Sequence, residues 1–167
     1  MLNRGENMRN IMYNAYADVK GSQKYNTITG RVYFRQTNMG VLVTAEIYGL
    51  PEQENSCNGN DGVFAFHIHE GESCSGNESD PFADAKTHYN PKNCPHPYHS
   101  GDLPPLFSNG GYAYMQVLTN RFRVAEITGR VVIIHSGTDD FTTQPSGNSG
   151  EKIACGKIIG NPGRMRL

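Results

Sequence analysis

The residues that could carry chemistry in this chain concentrate in one stretch, from His67 to Asp102. Its thirty-six residues contain five of the six histidines of the chain, namely His67, His69, His88, His96 and His99. The sixth, His135, ends a later apolar run. Neutral imidazole offers a nitrogen lone pair near physiological pH, which makes histidine the commonest metal ligand in proteins. A lone histidine is more often a solvated or hydrogen-bonded side chain, but five in one stretch indicate a metal site.

The first two histidines lie on a predicted strand. Residues 63–69 read VFAFHIH, in which apolar Phe66 and Ile68 alternate with histidines. Strand side chains point alternately to opposite faces, so His67 and His69 project together from one face. Two imidazoles on one face can bind a single ion from the same side.

A long loop follows this strand and carries the other histidines of the stretch. HEGESCSG ends the strand, and THYNP (His88), PHPYH (His96, His99) and GDLPPL (Asp102) follow. A loop of this length without secondary structure is uncommon in a compact domain unless it is functional. We therefore expect bound metal to replace a hydrophobic core there. An aspartate in GDLPP alone would be a turn residue, but its position beside His99 favours a ligand.

The rest of the chain must supply the strands that position this stretch. Alternating apolar and polar residues predict strands at 13–19, 28–35, 41–47, 63–69, 112–118 and, most weakly, 122–127. Residues 130–135 differ, because neither face is polar, which predicts a strand covered on both sides, and residues 153–159 complete the set. QTNMG predicts a hairpin between the second and third strands, and FSNGG predicts a turn before the fifth. Eight short strands without a convincing helical period predict an all-β antiparallel Greek-key barrel or sandwich with a long metal-binding loop.

Composition limits the remaining possibilities. The 167 residues fit a single domain, 1–167, with 1–11 and 160–167 expected to be loose termini. The formal net charge is −1 without a basic block, so no nucleic-acid partner is expected. No stretch approaches the roughly eighteen consecutive apolar residues of a membrane span, so no membrane partner is expected. The N-terminal stretch lacks an apolar h-region, which predicts a cytoplasmic protein, or an extracytoplasmic one if a leader was removed.

The cysteines do not reveal their pairing. Four of them, Cys57, Cys74, Cys94 and Cys155, allow three disulfide connectivities, and the sequence alone does not choose among them. None forms a C-x-x-C pair, which argues against a cysteine metal site. In a cytosolic protein, buried free thiols would be the default state.

Five motifs, taken together and in order, resemble the copper–zinc superoxide dismutase family. They are HIHEGESC, THYNP, HSGDLP, GRVVIIHSGTDD and GEKIACGKI, and they fall between residues 64 and 159. The resemblance implies the flattened eight-stranded version of the barrel, with a second loop that covers the active site. It implies copper and zinc as cofactors and superoxide as substrate, dismutated to oxygen and hydrogen peroxide. The resemblance is compatible with a homodimer but does not decide the oligomeric state.

The resemblance also implies a role for each residue of the motifs. Copper would be bound by His67, His69, His88 and His135, and zinc by His88, His96, His99 and Asp102. His88 would bridge the two ions and act as a catalytic residue that carries a proton. Asp139 would link a copper histidine to a zinc histidine, since ligating histidines usually donate their free N–H to a carboxylate. Asp140 could do this instead, or could cap a turn.

Lys152 stands where the family usually has an arginine. By its position it is the second candidate catalytic residue, a positive charge that attracts superoxide but lacks the planar fork of a guanidinium. A solvated surface lysine is the simpler alternative. The resemblance further implies a Cys74–Cys155 disulfide, and elimination leaves Cys57–Cys94 as a second pair.

Two other functions compete with the enzyme. One is a non-catalytic copper- and zinc-binding protein on the same fold, either a metal store or a metallochaperone. The other is a disulfide-linked interaction module that binds zinc alone. The complete ligand set, Asp139 and a positive residue at position 152 all favour superoxide dismutase.

Overall fold

The strands that carry the site belong to one antiparallel sheet. The computed structural model describes residues 13–53 and 62–161. Its nine strands are β1 (Ala15–Gly21), β2 (Thr29–Thr37), β3 (Gly40–Tyr48), β4 (Gly62–Phe64), β5 (Phe66–His69), β6 (Leu106–Asn109), β7 (Tyr112–Thr119), β8 (Val131–His135) and β9 (Lys152–Gly160). Short helical turns occupy Gln23–Tyr25, Ala83–Ala85 and α1 (Val124–Ile127).

Alternation of side chains explains why these segments form strands around one core. In β1 the buried residues are Ala15, Ala17 and Val19, and the intervening side chains face outwards. The same alternation recurs in β2, where Val32 and Phe34 are fully buried. Such a pattern lets one face of each strand contribute to a shared apolar interior while the other stays in water. The β2–β3 hairpin predicted from QTNMG is confirmed.

The sheet curls until its two ends nearly meet. Its strand order is β4-β6-β7-β3-β2-β1-β9-β8-β5, so β4 and β5 lie at opposite ends although only Ala65 separates them in sequence. The Ala65 N–H donates to the Gly137 carbonyl at 2.8 Å, and the His135 N–H donates to the Ala65 carbonyl at 2.9 Å. The predicted all-β antiparallel barrel is therefore confirmed. It has nine strands in place of eight, because the segment 63–69 divides into two, β6 was not predicted, and residues 122–127 do not form a strand.

Two of the sequence predictions are wrong in detail. Residues 122–127 do not form a strand, because Val124–Ile127 is a helical turn whose two end residues are both buried. The turn predicted at 107–111 contains most of β6, in which Leu106 and Ser108 are buried and the alternate residues exposed. This strand was missed because it is only four residues long and directly precedes a Gly-Gly turn.

The loop between β5 and β6, residues 70–105, is called the metal loop below. It lies directly against the outer edge of β5. The Ile68 N–H donates to the Gly101 carbonyl at 2.9 Å, and the Tyr89 N–H donates to the Ile68 carbonyl at 2.8 Å. A Cβ atom on Gly101 would lie 2.2 Å from the Ile68 carbonyl oxygen, so only glycine permits this approach. The loop thus provides hydrogen-bond partners for backbone groups of β5 that would otherwise be unpaired at the edge of the sheet.

A disulfide ties the metal loop to the barrel. Cys74 in the loop is bonded to Cys155 in β9, the pairing that the family resemblance implied. Beside it, Phe82 packs with buried side chains of β8 in a small apolar cluster. Cys94 forms no disulfide with a described residue. Cys57 lies outside the described residues, so its pairing with Cys94 stays a prediction.

The predicted loose termini fall almost entirely outside the described residues. Gly160, the first residue of the predicted C-terminal tail, still pairs with Ala15 as the last residue of β9. Within the ranges 13–53 and 62–161, no helix has the length and apolar character needed to cross a membrane.

Candidate metal centre

Four buried histidines form the first group of candidate ligands, called the copper group below. Its members are His67, His69, His88 and His135, each with one nitrogen within 4.8 Å of the others. The first two lie on β5, paired with Ile133 and Val131 of β8. An irregularity in the β8–β9 pairing falls between Ile134 and His135. Such irregularities re-aim side chains, and here the side chain of His135 lies beside His69.

A second group, called the zinc group below, lies in the metal loop. Its members are His88, His96, His99 and Asp102, again with ligand atoms within 4.8 Å of one another. Asp102 Oδ1 lies 2.8 Å from His88 Nδ1, and its other oxygen lies 3.1 Å from His96 Nδ1. His99 Nδ1 lies 3.3 Å from both Asp102 Oδ1 and His88 Nδ1. Three ring nitrogens and a carboxylate therefore surround one point.

His88 belongs to both groups. Its Nδ1 faces the zinc group, as the distances above show. Its Nε2 is buried without a hydrogen-bond partner among the described residues. The ring centroid of His88 lies 4.0 Å from that of His67, which belongs to the copper group alone. The imidazole of His88 is thus shared by the two groups.

The outer hydrogen bonds of the copper group fix where each lone pair points. His69 Nδ1 donates to the Lys86 carbonyl at 3.0 Å, and His135 Nδ1 donates to the Gly150 carbonyl at 3.4 Å. In the neutral ring the other nitrogen then carries no hydrogen. The two Nε2 atoms nevertheless lie only 3.2 Å apart. Two nitrogens without hydrogen cannot bond to each other, but both can bind one cation.

Unsatisfied buried nitrogens give a second test of whether metals fit. His67 Nδ1, His88 Nε2 and His96 Nδ1 are buried and have no hydrogen-bond partner among the described residues. His96 Nδ1 is close to Asp102 Oδ2, but the angles are not those of a hydrogen bond. Unsatisfied buried polar atoms are rare and call for a ligand or water. Four imidazoles suit copper(II), and three imidazoles with a carboxylate suit tetrahedral zinc. The residues therefore fit both metals.

Burial keeps three histidines of the copper group in the protonation state that binds metal. Burial lowers the pKa of His67 to about 4 and holds the pKa values of His69 and His135 well below their usual range. Burial also lowers the pKa of His99 in the zinc group. All four rings are neutral at physiological pH, so their lone pairs are free for coordination.

Asp139 lies behind both groups and contacts one histidine of each. Its Oδ2 accepts a hydrogen bond from His67 Nε2, and its Oδ1 accepts one from His96 Nε2, both at 2.8 Å. Burial alone would raise the pKa of Asp139, but these two hydrogen bonds outweigh it and leave the pKa below its usual value. An ionised carboxylate only accepts, so each histidine keeps its Nδ1 lone pair. Asp140 instead accepts bonds from Thr142 and Thr143 in an exposed turn.

Arg121 holds the metal loop in place and was not identified from the sequence. Its Nη1 donates to three loop carbonyls, those of Pro97 at 2.8 Å and of His99 and Asp102 at 3.2 Å each. The sequence showed it only as part of a polar connection, TNR, after a strand. Its partners lie about twenty residues away in sequence, a separation that local patterns do not report.

Gln144 makes a comparable contact with His96. Its side-chain oxygen accepts the His96 N–H at 2.9 Å, and its side-chain nitrogen donates to the His96 carbonyl at 2.7 Å. The second loop, between β8 and β9, thus supports a residue of the zinc group through the backbone. This side chain, too, had no signal in the sequence.

An open cleft of about 500 Å³ gives access to the copper group. His69, His88 and His135 line it, together with the charged side chains of Asp80, Lys86, Glu151 and Lys152. Lys152 is only 16% exposed and lies 2.6 Å from Asp80, so it is not a solvated surface residue. A larger cleft, of about 850 Å³, lies at the β4–β6 end and has no histidine in its lining. The smaller cleft is therefore the approach to the site.

Comparison with known proteins identifies relatives of this architecture. The family model described as copper/zinc superoxide dismutase (SODC) matches residues 28–158. Superoxide dismutase (Cu-Zn) of Legionella pneumophila is 35% identical over 137 residues, covering 77% of this chain and 76% of its own length. An extracellular superoxide dismutase (Cu-Zn) of Rattus norvegicus is 33% identical over 140 residues, covering 77% and 53%. The solved Cu/Zn superoxide dismutase from Brucella abortus superposes with a TM-score of 0.69 at 25% identity, covering 86% of this chain and 98% of that one.

Proposed function

The chain belongs to the copper/zinc superoxide dismutase family, and we propose that its two ligand groups hold the metals with which it dismutates superoxide. The reaction converts superoxide to oxygen and hydrogen peroxide. Copper would be bound by His67, His69, His88 and His135, and zinc by His88, His96, His99 and Asp102. The observation that carries this assignment is His88, because it belongs to both groups and its buried Nε2 has no hydrogen-bond partner among the described residues, while its Nδ1 lies against Asp102.

The side chains supply binding, orientation and proton transfer. When bound, copper supplies the electron exchange that dismutation requires, and zinc supplies fixed positive charge without redox change. Asp139 orients His67 and His96 from behind, so that one carboxylate sets the ring directions in both groups. Of the two His88 nitrogens, Nε2 is the one available to carry a proton, because Nδ1 is held in the zinc group and His88 is part of the cleft lining.

The cleft suits a small anion. It ends on imidazole rings, and two lysine side chains, Lys86 and Lys152, are part of its lining. Positive potential in a cleft raises the local concentration of an anionic substrate and its rate of association. Lys152 and His135 are both part of this lining, which supports a role for its charge. Its pairing with Asp80 modifies that role.

We propose an oxidising compartment as the site of action. The Cys74–Cys155 disulfide supports this, since disulfides persist in oxidising environments and are rare in the cytosol. The cytoplasmic location expected from the sequence rested on the N-terminal stretch, which lies outside the described residues. Thiol trapping of fractionated cells would decide between the two, because a cytoplasmic protein kept reduced would contradict the proposal.

Assembly and partners are also proposals. A formal net charge of −1 without a basic block supports a protein that acts without nucleic acid or a membrane surface. A homodimer is the assembly to test, by sedimentation of the metal-loaded protein over a range of concentrations. A constant monomer mass would contradict it.

Metal analysis combined with a superoxide assay tests the function. The loaded protein is expected to hold about one copper and one zinc per chain, as the two donor sets predict. Activity should appear on copper loading and be absent from the zinc-only protein. A metal store or metallochaperone would bind copper without dismutating superoxide, and a zinc-only module would bind no copper. Either result would contradict the proposal.

A further inference from the structure

Four charged side chains line the cleft, and three of them are already paired. Lys152 Nζ lies 2.6 Å from Asp80 Oδ2. Glu151 accepts from Lys24 Nζ at 2.7 Å and from the Tyr25 hydroxyl at 2.5 Å. Lys86 is exposed and makes no ion pair within the part of the chain that the structure describes. The cleft therefore has one cation whose charge is not compensated.

The Asp80–Lys152 pair is anchored on both sides. Lys152 begins β9, and its ammonium also donates to the Phe82 carbonyl at 3.1 Å. Asp80 Oδ1 accepts the Phe82 N–H at 3.0 Å, which fixes the carboxylate relative to the loop. Phe82 itself is buried in the apolar cluster beside the disulfide. Because both partners are held by the surrounding structure, the pair persists instead of exchanging with water.

A compensated charge attracts an anion far less than a free one. An ammonium and a carboxylate in contact act on a distant anion as a dipole, whose field falls off faster than that of a single charge. Dissolved salt screens the remaining electric field of the pair over a distance of about 8 Å at physiological ionic strength. Lys152 is therefore not the main source of attraction for an anion, although it lines the cleft. The main source is Lys86, whose charge is not compensated by a described residue.

We propose that Asp80 limits the capture of superoxide by neutralising Lys152, and that Lys86 supplies the net positive charge of the cleft. This inference rests on the proposed function, since it concerns the approach of the same substrate to the same site. Asp80 and Lys86 act here on the approach of the anion and take no part in electron or proton transfer.

Azide titration of the copper-loaded protein is the readout that does not depend on turnover. Its affinity, followed by the visible spectrum, reports how strongly the cleft attracts a small anion. Lys86→Gln should weaken azide binding and superoxide capture by about threefold at low salt, and Lys86→Arg should restore both. Asp80→Asn should strengthen both by a similar factor, because the amide keeps the loop hydrogen bond but not the charge. Both effects should shrink as salt is added.

Two comparisons separate this inference from a general effect of net charge. Asp84→Asn removes the same charge from an exposed residue of the same loop outside the cleft lining, and should change little. The double variant Asp80→Asn/Lys152→Gln removes the whole pair and should behave like the parent. A double variant as weak as Lys86→Gln would show that Lys152 is the attracting charge, and would overturn the proposal. So would equal behaviour of Asp80→Asn and Asp84→Asn.

The failure of this inference can be told apart from failure of the proposed function. A parent protein that binds copper and azide but does not dismutate superoxide would contradict the function, while the azide affinities would still rank the variants. An active parent whose variants all bind azide equally would contradict the inference alone. Metal content and melting temperature are measured for each variant, so that altered loading is not mistaken for altered attraction.

Discussion

The ligands of the site lie in two regions that are held in different ways. His67, His69 and His135 lie on β5 and β8, whose backbones are paired with each other, and β8 is also paired with β9. His88 and the remaining ligands lie on the metal loop, where the ladder is reduced to isolated bridges. Extensive backbone pairing thus positions the first region, whereas a few backbone hydrogen bonds, the disulfide and side chains such as Arg121 position the second.

The contrast between the two regions indicates where metal binding must contribute to order. Strand ligands are held by many cooperative backbone hydrogen bonds, so their geometry should persist without metal. Loop ligands have fewer backbone hydrogen bonds to the barrel and depend in addition on side-chain contacts from Arg121, Gln144 and Asp139, each of which a single substitution removes. Local stability is expected to be lower where fewer packed contacts hold a segment. The following predictions test this contrast.

The largest effect is expected from removing a strand ligand. His135→Ala should abolish copper binding and activity yet retain zinc, because His135 belongs to the copper group alone. Metal analysis and a superoxide assay check this. The matched variant His99→Ala should show the opposite preference, with zinc lost first. Retained copper and full activity in His135→Ala would contradict the assignment of the copper group.

The next effect concerns the residue that joins the two regions. Asp139→Asn should weaken retention of both metals by about 10–100-fold, because the carboxylate orients one histidine in each group. Competition with a chelator measures the affinities. Asp140→Asn is the control and should do much less, since Asp140 bonds only within an exposed turn. Greater sensitivity at Asp140 would mean that the carboxylate roles are exchanged.

A smaller effect should be confined to the metal loop. Arg121→Gln removes the donor shared by three loop carbonyls and should weaken zinc binding by about tenfold, with copper affinity nearly unchanged. Lys157→Gln removes the same charge from an exposed position on β9 and serves as the control. Hydrogen exchange should show faster opening of the loop in the Arg121 variant alone. Equal weakening of both metals would contradict the separation of the two regions.

An effect on stability alone is expected from acid on the metal-free protein. Burial lowers the pKa of His67 from 6.5 to about 4. The unfolded chain therefore binds more protons than the folded chain between these values, so the free energy of unfolding should decrease as the pH falls from about 6.5 towards 4. His69 and His135 act in the same direction. Thermal unfolding of chelated protein over this range measures the slope, and His67→Gln should flatten it. An unchanged slope in that variant would contradict the role of His67.

The sequence predicted the barrel well because its signal is local. Alternation identified the faces of β1, β2 and β3 directly, and the spacing of His67 and His69 placed both on one side of a strand. It failed where the outcome depends on distant partners. The alternating segment 63–69 gave no sign that it divides at Ala65, because its halves pair with different strands, β6 and β8.

The prediction for residues 122–127 failed for a different reason. Phe122, Val124 and Ile127 are all buried, and the first two suit a strand while the last two suit a helical turn. In so short a segment the two periods cannot be told apart. The contacts of Arg121 and the Asp80–Lys152 pair could not be predicted from the sequence either, since each joins residues distant in sequence. The ligands themselves could be predicted, because the residue type histidine and the order of the motifs both indicate a metal site.

The contact of the metal loop with β5 has a consequence for self-association. An uncovered strand edge is a template on which a second chain can add its own strand, and natural proteins protect such edges. In β5 that protection is given by Gly101 and Tyr89, which occupy the hydrogen-bonding groups of Ile68. Protection of the edge therefore depends on the order of the loop that binds zinc. Loss of zinc would therefore promote aggregation in addition to impairing catalysis, because the strand Phe66–His69 would present an unpaired edge to neighbouring molecules.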